Sequence, residues 1–388
     1  MQKISLLLLF FLWAPMLCYS ENATEEILND YTTLYGDVLE NGIEKLDVQE
    51  NFSQLIPNFS VKETLAQLMQ GNLAISLPEL LGLIAKELLG EVYHSSKLMA
   101  LVLTASILCS YLMGLKDGFG EKGVTQAAYY TCYLVIAGVS ATAFYDVAGC
   151  VKNAIENIAL FMEMIVPVVI TTLVASGAIV SASVFEPILL TVVEIALLVI
   201  QNFFIPLVMI GTAMSVANGV SAQFKIERLA KFIRQCVKWG LSILLTIFVS
   251  TASLQSIAAS GADGLTVKLT KFAAANLIPV VGGILAESVE TVMNCSVLIK
   301  NAVGVMGILC LLGIAVFPIL KIAAVLIIFR LTAAVAEPVS EPKIIHCLTE
   351  LGNAVSMLFS MLAATTVMFV IVLTIVIHAG NTALLLGR

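Results

Sequence analysis

The sequence predicts an all-α, polytopic integral membrane protein, and three observations indicate this class. Hydrophobic residues make up 59% of the 388 and charged residues 12%, whereas soluble domains are about half apolar and about a quarter charged. The mean hydropathy is +0.99. Long apolar runs recur along the chain, and a helix needs about 20 such residues to cross a bilayer. We expect about seven to nine transmembrane helices, with a re-entrant or broken-helix segment among them.

Residues 1–20 are predicted to be a signal peptide. Lys3 supplies the positive start, Ile4–Trp13 a short apolar run, and Cys18–Ser20 a cleavage site with small residues on both sides of Tyr19. An uncleaved anchor is the alternative, because so short an apolar run is ambiguous. Both interpretations leave the segment that follows outside the cytoplasm.

Residues 21–96 form an acidic segment that is predicted to be helical and extracytoplasmic. Thirteen acidic and four basic residues lie between Glu21 and Lys97, so the net charge of −7 arises here and the remainder is nearly neutral. Nucleic acid is therefore not an expected partner. Ser60 and Glu63 have the spacing of a helix-capping box. The segment is either a cap on its own bundle or a docking surface for an extracytoplasmic partner.

Residues 97–388 are predicted to be the membrane domain. Seven apolar stretches are clear candidates for crossings: Met99–Leu115, Ala127–Ala148, Ile158–Ala182, Gly240–Ala262, Ala302–Leu320, Ile322–Ala336 and Ala354–His378. The stretch Pro187–Val220 is too long for one crossing, and Gln201, Asn202 and Pro206 interrupt it. Two short crossings or a re-entrant hairpin fit it better. A re-entrant or interfacial hairpin is predicted over Asp263–Lys300, where charged residues interrupt a short apolar run.

A basic amphipathic helix, residues 223–238, is predicted to be cytoplasmic because cations next to membrane spans accumulate on that side. Its cations form a candidate docking helix for a cytoplasmic partner, or an ordinary topological anchor: Lys225, Arg228, Lys231, Arg234 and Lys238. Counting crossings from an extracytoplasmic N-terminal segment then places the loop Glu337–Glu350 outside and Arg388 in the cytoplasm.

Two further groups of residues are candidate sites within the spans. Proline and glycine breaks would mark either a gate made of discontinuous helices or kinks in a packed bundle: Pro167, Pro206, Pro279, Gly282 and Gly283. Charges inside spans are costly, so they indicate either pairing across helices or a substrate pathway. The deepest of them are Glu163, Glu194 and Arg330.

The sequence carries no motif of enzyme chemistry. It lacks the H-E-x-x-H metal motif, the G-x-S-x-G nucleophile turn, the phosphate-binding loop and the dinucleotide-binding glycines. Its eight cysteines are scattered, without a C-x-x-C pair. We therefore predict no catalytic residue, no cofactor and no metal, and any ATP hydrolysis would come from another chain.

Between Lys238 and Gly304 the chain carries a set of distinctive short runs: Lys238-Trp239-Gly240, Gly261-Ala262-Asp263-Gly264, Asn276-Leu277-Ile278-Pro279-Val280-Val281-Gly282-Gly283 and Lys300-Asn301-Ala302-Val303-Gly304. These runs resemble the stage III sporulation protein AE family of endospore-forming Firmicutes. The order and length of the signal peptide, acidic segment and spans are similar as well, so the resemblance covers essentially the whole chain.

The resemblance implies a membrane component of a multiprotein channel between mother cell and forespore, located in the mother-cell membrane around the forespore. It would be the platform or an export-gate-like part, required for forespore development and late forespore transcription. The implied partners are other stage III sporulation A-operon membrane proteins, including ring-forming components and a cytoplasmic ATPase. A forespore-side channel protein would be an indirect partner, and the lipid bilayer would surround the spans. The alternative is a self-contained secondary transporter of a small solute.

Overall fold

The regular secondary structure of the protein is helical throughout the part of the chain that the computed structural model describes, which comprises residues 36, 40, 60–69, 77–114, 122–220, 226–277 and 282–387. The predicted signal peptide lies outside these residues. The helices are α1 (Val61–Met69), α2 (Leu77–Gly114), α3 (Lys122–Ala175), α4 (Ile179–Val199), a π-helical turn (Ile200–Phe204), α5 (Ile205–Val220), α6 (Glu227–Leu277), α7 (Gly282–Ala336) and α8 (Pro342–Gly387). At the start of α1, the Glu63 N–H donates to Ser60 Oγ over 3.4 Å, as the capping-box spacing predicts.

Six helical stretches of the described chain are long and apolar enough to cross a membrane: Leu81–Tyr111, Ala127–Ala175, Thr191–Gly219, Glu227–Leu254, Met293–Ala336 and Pro342–Ala379. Their number is close to the seven to nine crossings predicted, and the all-α polytopic class is confirmed. The helices are long: α3 has 54 residues, about 80 Å at 1.5 Å per residue. The hydrocarbon layer is only about 30 Å thick, so α3 must be steeply tilted or extend beyond it.

Consecutive long helices run antiparallel, which gives the bundle two ends. At the end termed here the basic end, α2, α5 and α7 finish and α3, α6 and α8 begin. There, Tyr133 Oη on α3 donates to the Val216 carbonyl on α5 over 2.8 Å. At the opposite end, Lys300 Nζ on α7 donates to the Ile377 carbonyl on α8 over 2.5 Å. Helix α8 is central, because it contacts α3, α4, α5, α6 and α7.

Two of the predicted loops between crossings are helical. The spans predicted at 127–148 and 158–182 share the single helix α3 as far as Ala175, and those at 302–320 and 322–336 share α7. The polar residues between the predicted spans stay within the helices, and Lys152 and Lys321 among them are exposed. Polar side chains on an exposed or cavity-lining face do not interrupt backbone hydrogen bonding, so the predicted separations were wrong.

A π-helical turn replaces the hairpin that was predicted at Gln201 and Asn202. The Ile205 N–H bonds to the carbonyl of Ile200, five residues back, and the helix continues through Pro206 in the same direction. A proline lacks the donor for the carbonyl four residues earlier and clashes with it. A π turn changes that register locally, which accommodates Pro206 without a reversal of the chain.

The turn is packed against α6 at a glycine. A Cβ atom at Gly240 would lie 2.7 Å from Cζ of Phe204, the last residue of the π turn. Real Cβ atoms essentially never approach a heavy atom so closely, so Gly240 allows the aromatic ring to lie directly on the α6 backbone.

The predicted topology requires a correction, because the basic helix and segment 337–350 lie at the same end. Arg234 forms an ion pair with Glu350, and His346 Nε2 is 3.7 Å from Glu227 Oε1. Helix α8 then runs to the opposite end. Placing the loop across the membrane from the basic helix was therefore wrong, whereas Arg388 lies outside the described residues. The cause is that the single helix α7 was divided at Lys321 into two predicted crossings. The extra crossing inverted the predicted orientation of the chain after α7.

The predicted re-entrant hairpin over Asp263–Lys300 corresponds to the end of α6 and the beginning of α7. The apex, with Pro279, lies outside the described residues. Asp263 itself is fully buried and caps the neighbouring helix: its Oδ1 accepts the Val180 N–H over 2.8 Å and the Ser181 N–H over 3.2 Å. The first turn of a helix has N–H groups without intrahelical partners, so this carboxylate fixes the start of α4 to α6.

Replacing Asp263 with alanine is expected to lower the stability by about 1–3 kcal/mol, because two N–H groups lose their acceptor in a buried position. Thermal unfolding of the detergent-purified protein measures the effect. Asp263→Asn keeps an acceptor oxygen and should lose less, and Lys268→Ala removes an exposed charge five residues along the same helix. Equal midpoints for Asp263→Ala and Lys268→Ala would contradict the capping role.

Candidate functional site

A cavity of about 270 Å³ lies between α3, α4 and α8. Its walls are mainly apolar, with Phe369 and Leu373 among the residues that α8 contributes. Two carboxylates also line it, Glu163 from α3 and Glu194 from α4. Two of the three deepest charges predicted from the sequence thus meet at one site, although they are 31 positions apart in the chain.

Both carboxylates keep exposed surface, and within the described chain neither has a cation as ion-pair partner. Two carboxylates among apolar walls attract a cationic group, while the walls favour an apolar one. The cavity can therefore hold a group that is positively charged at one end and apolar at the other. Pro167, on the turn of α3 after Glu163, lies beside the lining residues Val166 and Ile170.

A second cavity, of about 440 Å³, lies between α3 and α7 and is more polar. Asp146, Asn153 and Asn157 line it from α3, and Lys321 lines it from α7 together with Pro318. Asp146 and Lys321 bring opposite charges to one cavity, so this site can hold polar groups or water between the two helices.

A buried ionic cluster joins four helices at the basic end. The guanidinium of Arg234 on α6 forms an ion pair with Glu350 on α8 and donates to Ser215 Oγ on α5 over 3.0 Å. Ser215 lies 3.3 Å from Glu350 Oε2, and Asn353 Nδ2 donates to Glu350 Oε1 over 3.3 Å. Arg330 on α7 donates to Asn353 Oδ1 over 3.0 Å. All of these contacts join two different helices, except the hydrogen bond between Glu350 and Asn353. The cluster therefore fixes the positions of the four helices relative to one another.

The basic helix presents fewer free cations than its sequence predicts. Arg234 is 7% exposed and is occupied by Glu350, so it cannot contact a docking partner. Lys231 pairs with Glu227 over 2.5 Å, one turn back on the same helix. Arg228 and Lys238 are exposed, whereas Lys225 lies outside the described residues. Including Arg234 in the docking surface was wrong, since its position faces the bundle.

The predicted breaks occupy different places in the bundle. Pro167 lies inside α3 and Pro206 follows the π turn, while Gly282 and Gly283 are the first residues of α7. Pro279 is outside the described residues. Among the predicted breaks that lie within the described residues, only Pro167 is beside the carboxylate cavity.

Sequence reasoning missed Ser215, Glu350 and Asn353. Glu350 was assigned to a loop, but it lies in the third turn of α8. The available signal was the pair Glu350 and Asn353, which are three residues apart in an otherwise apolar helix and so lie on one face.

Comparison with known proteins identifies the family to which the chain belongs. Residues 59–380 match the family model described as stage III sporulation protein AE. The chain belongs to the stage III sporulation protein AE family. A relative, the stage III sporulation protein AE of Bacillus subtilis (strain 168), is 31% identical over 340 residues, which cover 88% of this chain and 85% of the relative. No solved structure matches the chain.

The family assignment confirms the resemblance that the short runs between Lys238 and Gly304 indicated. It supports a role in sporulation, and the six apolar helices indicate a multi-pass membrane protein. One of the distinctive residues, Asp263, now has a physical role as the cap of α4. This member of the stage III sporulation protein AE family is thus a helical bundle, with the carboxylate cavity towards one end and the ionic cluster at the other.

Proposed function

We propose that the protein is a non-enzymatic membrane component of the channel between mother cell and forespore, acting as its platform or export-gate-like part. It serves forespore development and late forespore transcription. The observation that carries the gate role is the cavity between α3, α4 and α8, where Glu163 and Glu194 line apolar walls. Charges retained among apolar helices are costly and mark pathways by default.

The proposal extends to location and partners. The mother-cell membrane that surrounds the forespore would hold the bundle, with the acidic N-terminal segment outside the cytoplasm and the basic end inside it. The exposed cations Arg228 and Lys238 support this orientation, because cations beside spans accumulate on the cytoplasmic side. The proposed partners are other A-operon membrane proteins, ring-forming components, a cytoplasmic ATPase and, indirectly, a forespore-side channel protein.

Deletion of the gene in the native host tests the proposal. Cells are followed by time-lapse imaging through growth and sporulation, with a reporter of late forespore transcription. The expected result is normal growth and engulfment, followed by a small forespore and a silent reporter. Normal spores, or a defect in vegetative growth, would overturn the channel assignment.

A double substitution, Glu163→Gln with Glu194→Gln, tests the cavity in the complemented deletion strain. We expect spore yield to fall by about tenfold or more, because intramembrane charges without a cationic partner mark functional positions by default. Immunoblotting of membranes should show an unchanged amount of protein. The control is Glu156→Gln, which removes an exposed charge from α3 outside the cavity. Full spore yield in the double variant would remove the cavity from the mechanism.

The alternative function, secondary transport of a small solute, draws on the same two carboxylates. It predicts activity by the isolated protein, whereas a channel component depends on its neighbours. Loss of the chain from membranes when the other A-operon proteins are absent would favour the channel. Solute uptake by vesicles that contain this chain alone would favour the transporter.

A further inference from the structure

The outward face of α6 at the basic end carries a stripe of exposed residues that the ionic cluster leaves free. Arg228, Phe232 and Trp239 are spaced by four and seven residues, so they lie on one side of the helix. Phe232 is 62% exposed and Trp239 65% exposed. The other side of the helix carries Ala230 and Val237, which are buried. The stripe therefore faces away from the rest of the bundle.

The charge on this face is not balanced by the protein. Glu227 is paired with Lys231, and Glu350 with Arg234. Arg228 and Lys238 have no acidic ion-pair partner in the part of the chain that the structure describes. Lys238 lies at the edge of the stripe, about 80° around the helix from Arg228. Two uncompensated positive charges therefore accompany two exposed aromatic rings.

The stripe continues into a surface suited to lipid. After Lys238, the next charged residue is Asp263, so the chain between them is long enough to cross the hydrocarbon. On the same side of α6, Ile243 and Ile247 are each 59% exposed. Tryptophan collects at the boundary between headgroups and acyl chains, and lysine beside a span extends its ammonium to the headgroups.

We propose that this face of α6 is a binding site for anionic phospholipid in the leaflet at the basic end. Arg228 and Lys238 attract headgroups whose phosphate charge is not offset by a choline cation, Phe232 lies at the level of the headgroups, and Trp239 lies against the upper acyl chains. The exposed residues of the stripe continue directly into Ile243 and Ile247, which face the lipid within the span. This continuous exposed surface favours a lipid over a protein as the ligand. The inference does not depend on the proposed channel function.

The fluorescence of Trp239 can show which lipid lies in contact with this face of α6. The chain has two tryptophans, Trp13 and Trp239, so Trp13→Phe leaves a single fluorophore in the stripe. The full-length variant is reconstituted into phosphatidylcholine vesicles with equal mole fractions of brominated phosphatidylglycerol or brominated phosphatidylcholine. Brominated chains quench tryptophan on contact. We expect an apparent preference of about fivefold or more for the anionic lipid, since each cation near an anionic surface contributes about that factor.

Charge variants of the same single-tryptophan protein distinguish lipid binding at this site from a general effect of the protein's charge. Arg228→Gln with Lys238→Gln should abolish the preference, so that the two lipids quench equally. Lys152→Gln with Lys268→Gln removes two exposed charges elsewhere and should preserve it. Equal quenching by both lipids in the parent protein would overturn the proposal. An absence of quenching by either lipid would overturn it as well, since Trp239 would then be covered by protein.

Discussion

Replacing Glu350 with alanine is expected to destabilise the bundle by about 3–5 kcal/mol, because it leaves the buried Arg234 guanidinium without its counter-charge. Arg234 is 7% exposed and Glu350 6%, so water cannot substitute for the lost carboxylate. Asn353 loses its acceptor at the same time. The thermal midpoint of the detergent-purified protein, and its amount in membranes, should both fall.

Two further variants identify the cause of this loss. Lys238→Ala removes an exposed cation from the same helix as Arg234 and should change the midpoint little. The pair Arg234→Met with Glu350→Leu replaces both charges by apolar groups, and it should be much less harmful than Glu350→Ala alone. A midpoint for Glu350→Ala equal to that of Lys238→Ala would show that the ion pair does not hold the helices together.

Replacing Gly304 with leucine is expected to cost about 1–3 kcal/mol or more, because α7 and α8 approach each other closely at this position. A Cβ atom at Gly304 would overlap the side chain of Ile377. Helices in membranes commonly pack at small residues for this reason. Unfolding of the purified protein by heat measures the loss.

The matched control for Gly304→Leu is Gly138→Leu in α3, because nothing lies within 4 Å of a Cβ atom at Gly138. Both glycines are inside long helices, so the local effect on helix formation is similar. A second change, Ile377→Ala, should recover part of the loss in Gly304→Leu by making room. Equal loss in the two leucine variants would assign the effect to the helix backbone and contradict close packing.

The sequence was sufficient for the class of fold and for the family, because both depend on composition and short runs. It predicted that Glu163 and Glu194 are exceptional, since charges stand out among apolar residues. It could not show that they line one cavity, because that depends on how α3 and α4 pack against α8. The partners Arg234 and Glu350 were hidden for the same reason: they are 116 positions apart in the chain.

Counting crossings failed where polar residues separate two apolar stretches of one continuous helix. Lys152 and Lys321 are compatible with uninterrupted helices, because a helix satisfies its own backbone whatever its side chains face. The errors at α3 and at 187–220 each added one crossing, so they compensated, and the basic helix kept its position relative to α2. The error at α7 had no such compensation, and it reversed the remaining topology.

The π turn at Ile200–Phe204 absorbs one residue of chain length within a single turn. A π turn contains one residue more than the α-helical turn it replaces. Removing a single residue there would restore a regular turn and leave the helix after it in nearly the same rotational position. Removing a residue from α5 before Gly211 would instead rotate the remainder of α5 by about 100°. Ser215 would then turn away from Arg234, and Gly211 away from the Ile233 side chain 3.5 Å from its Cβ position. A one-residue deletion is therefore less disruptive between Ile200 and Phe204 than in the regular helix that follows.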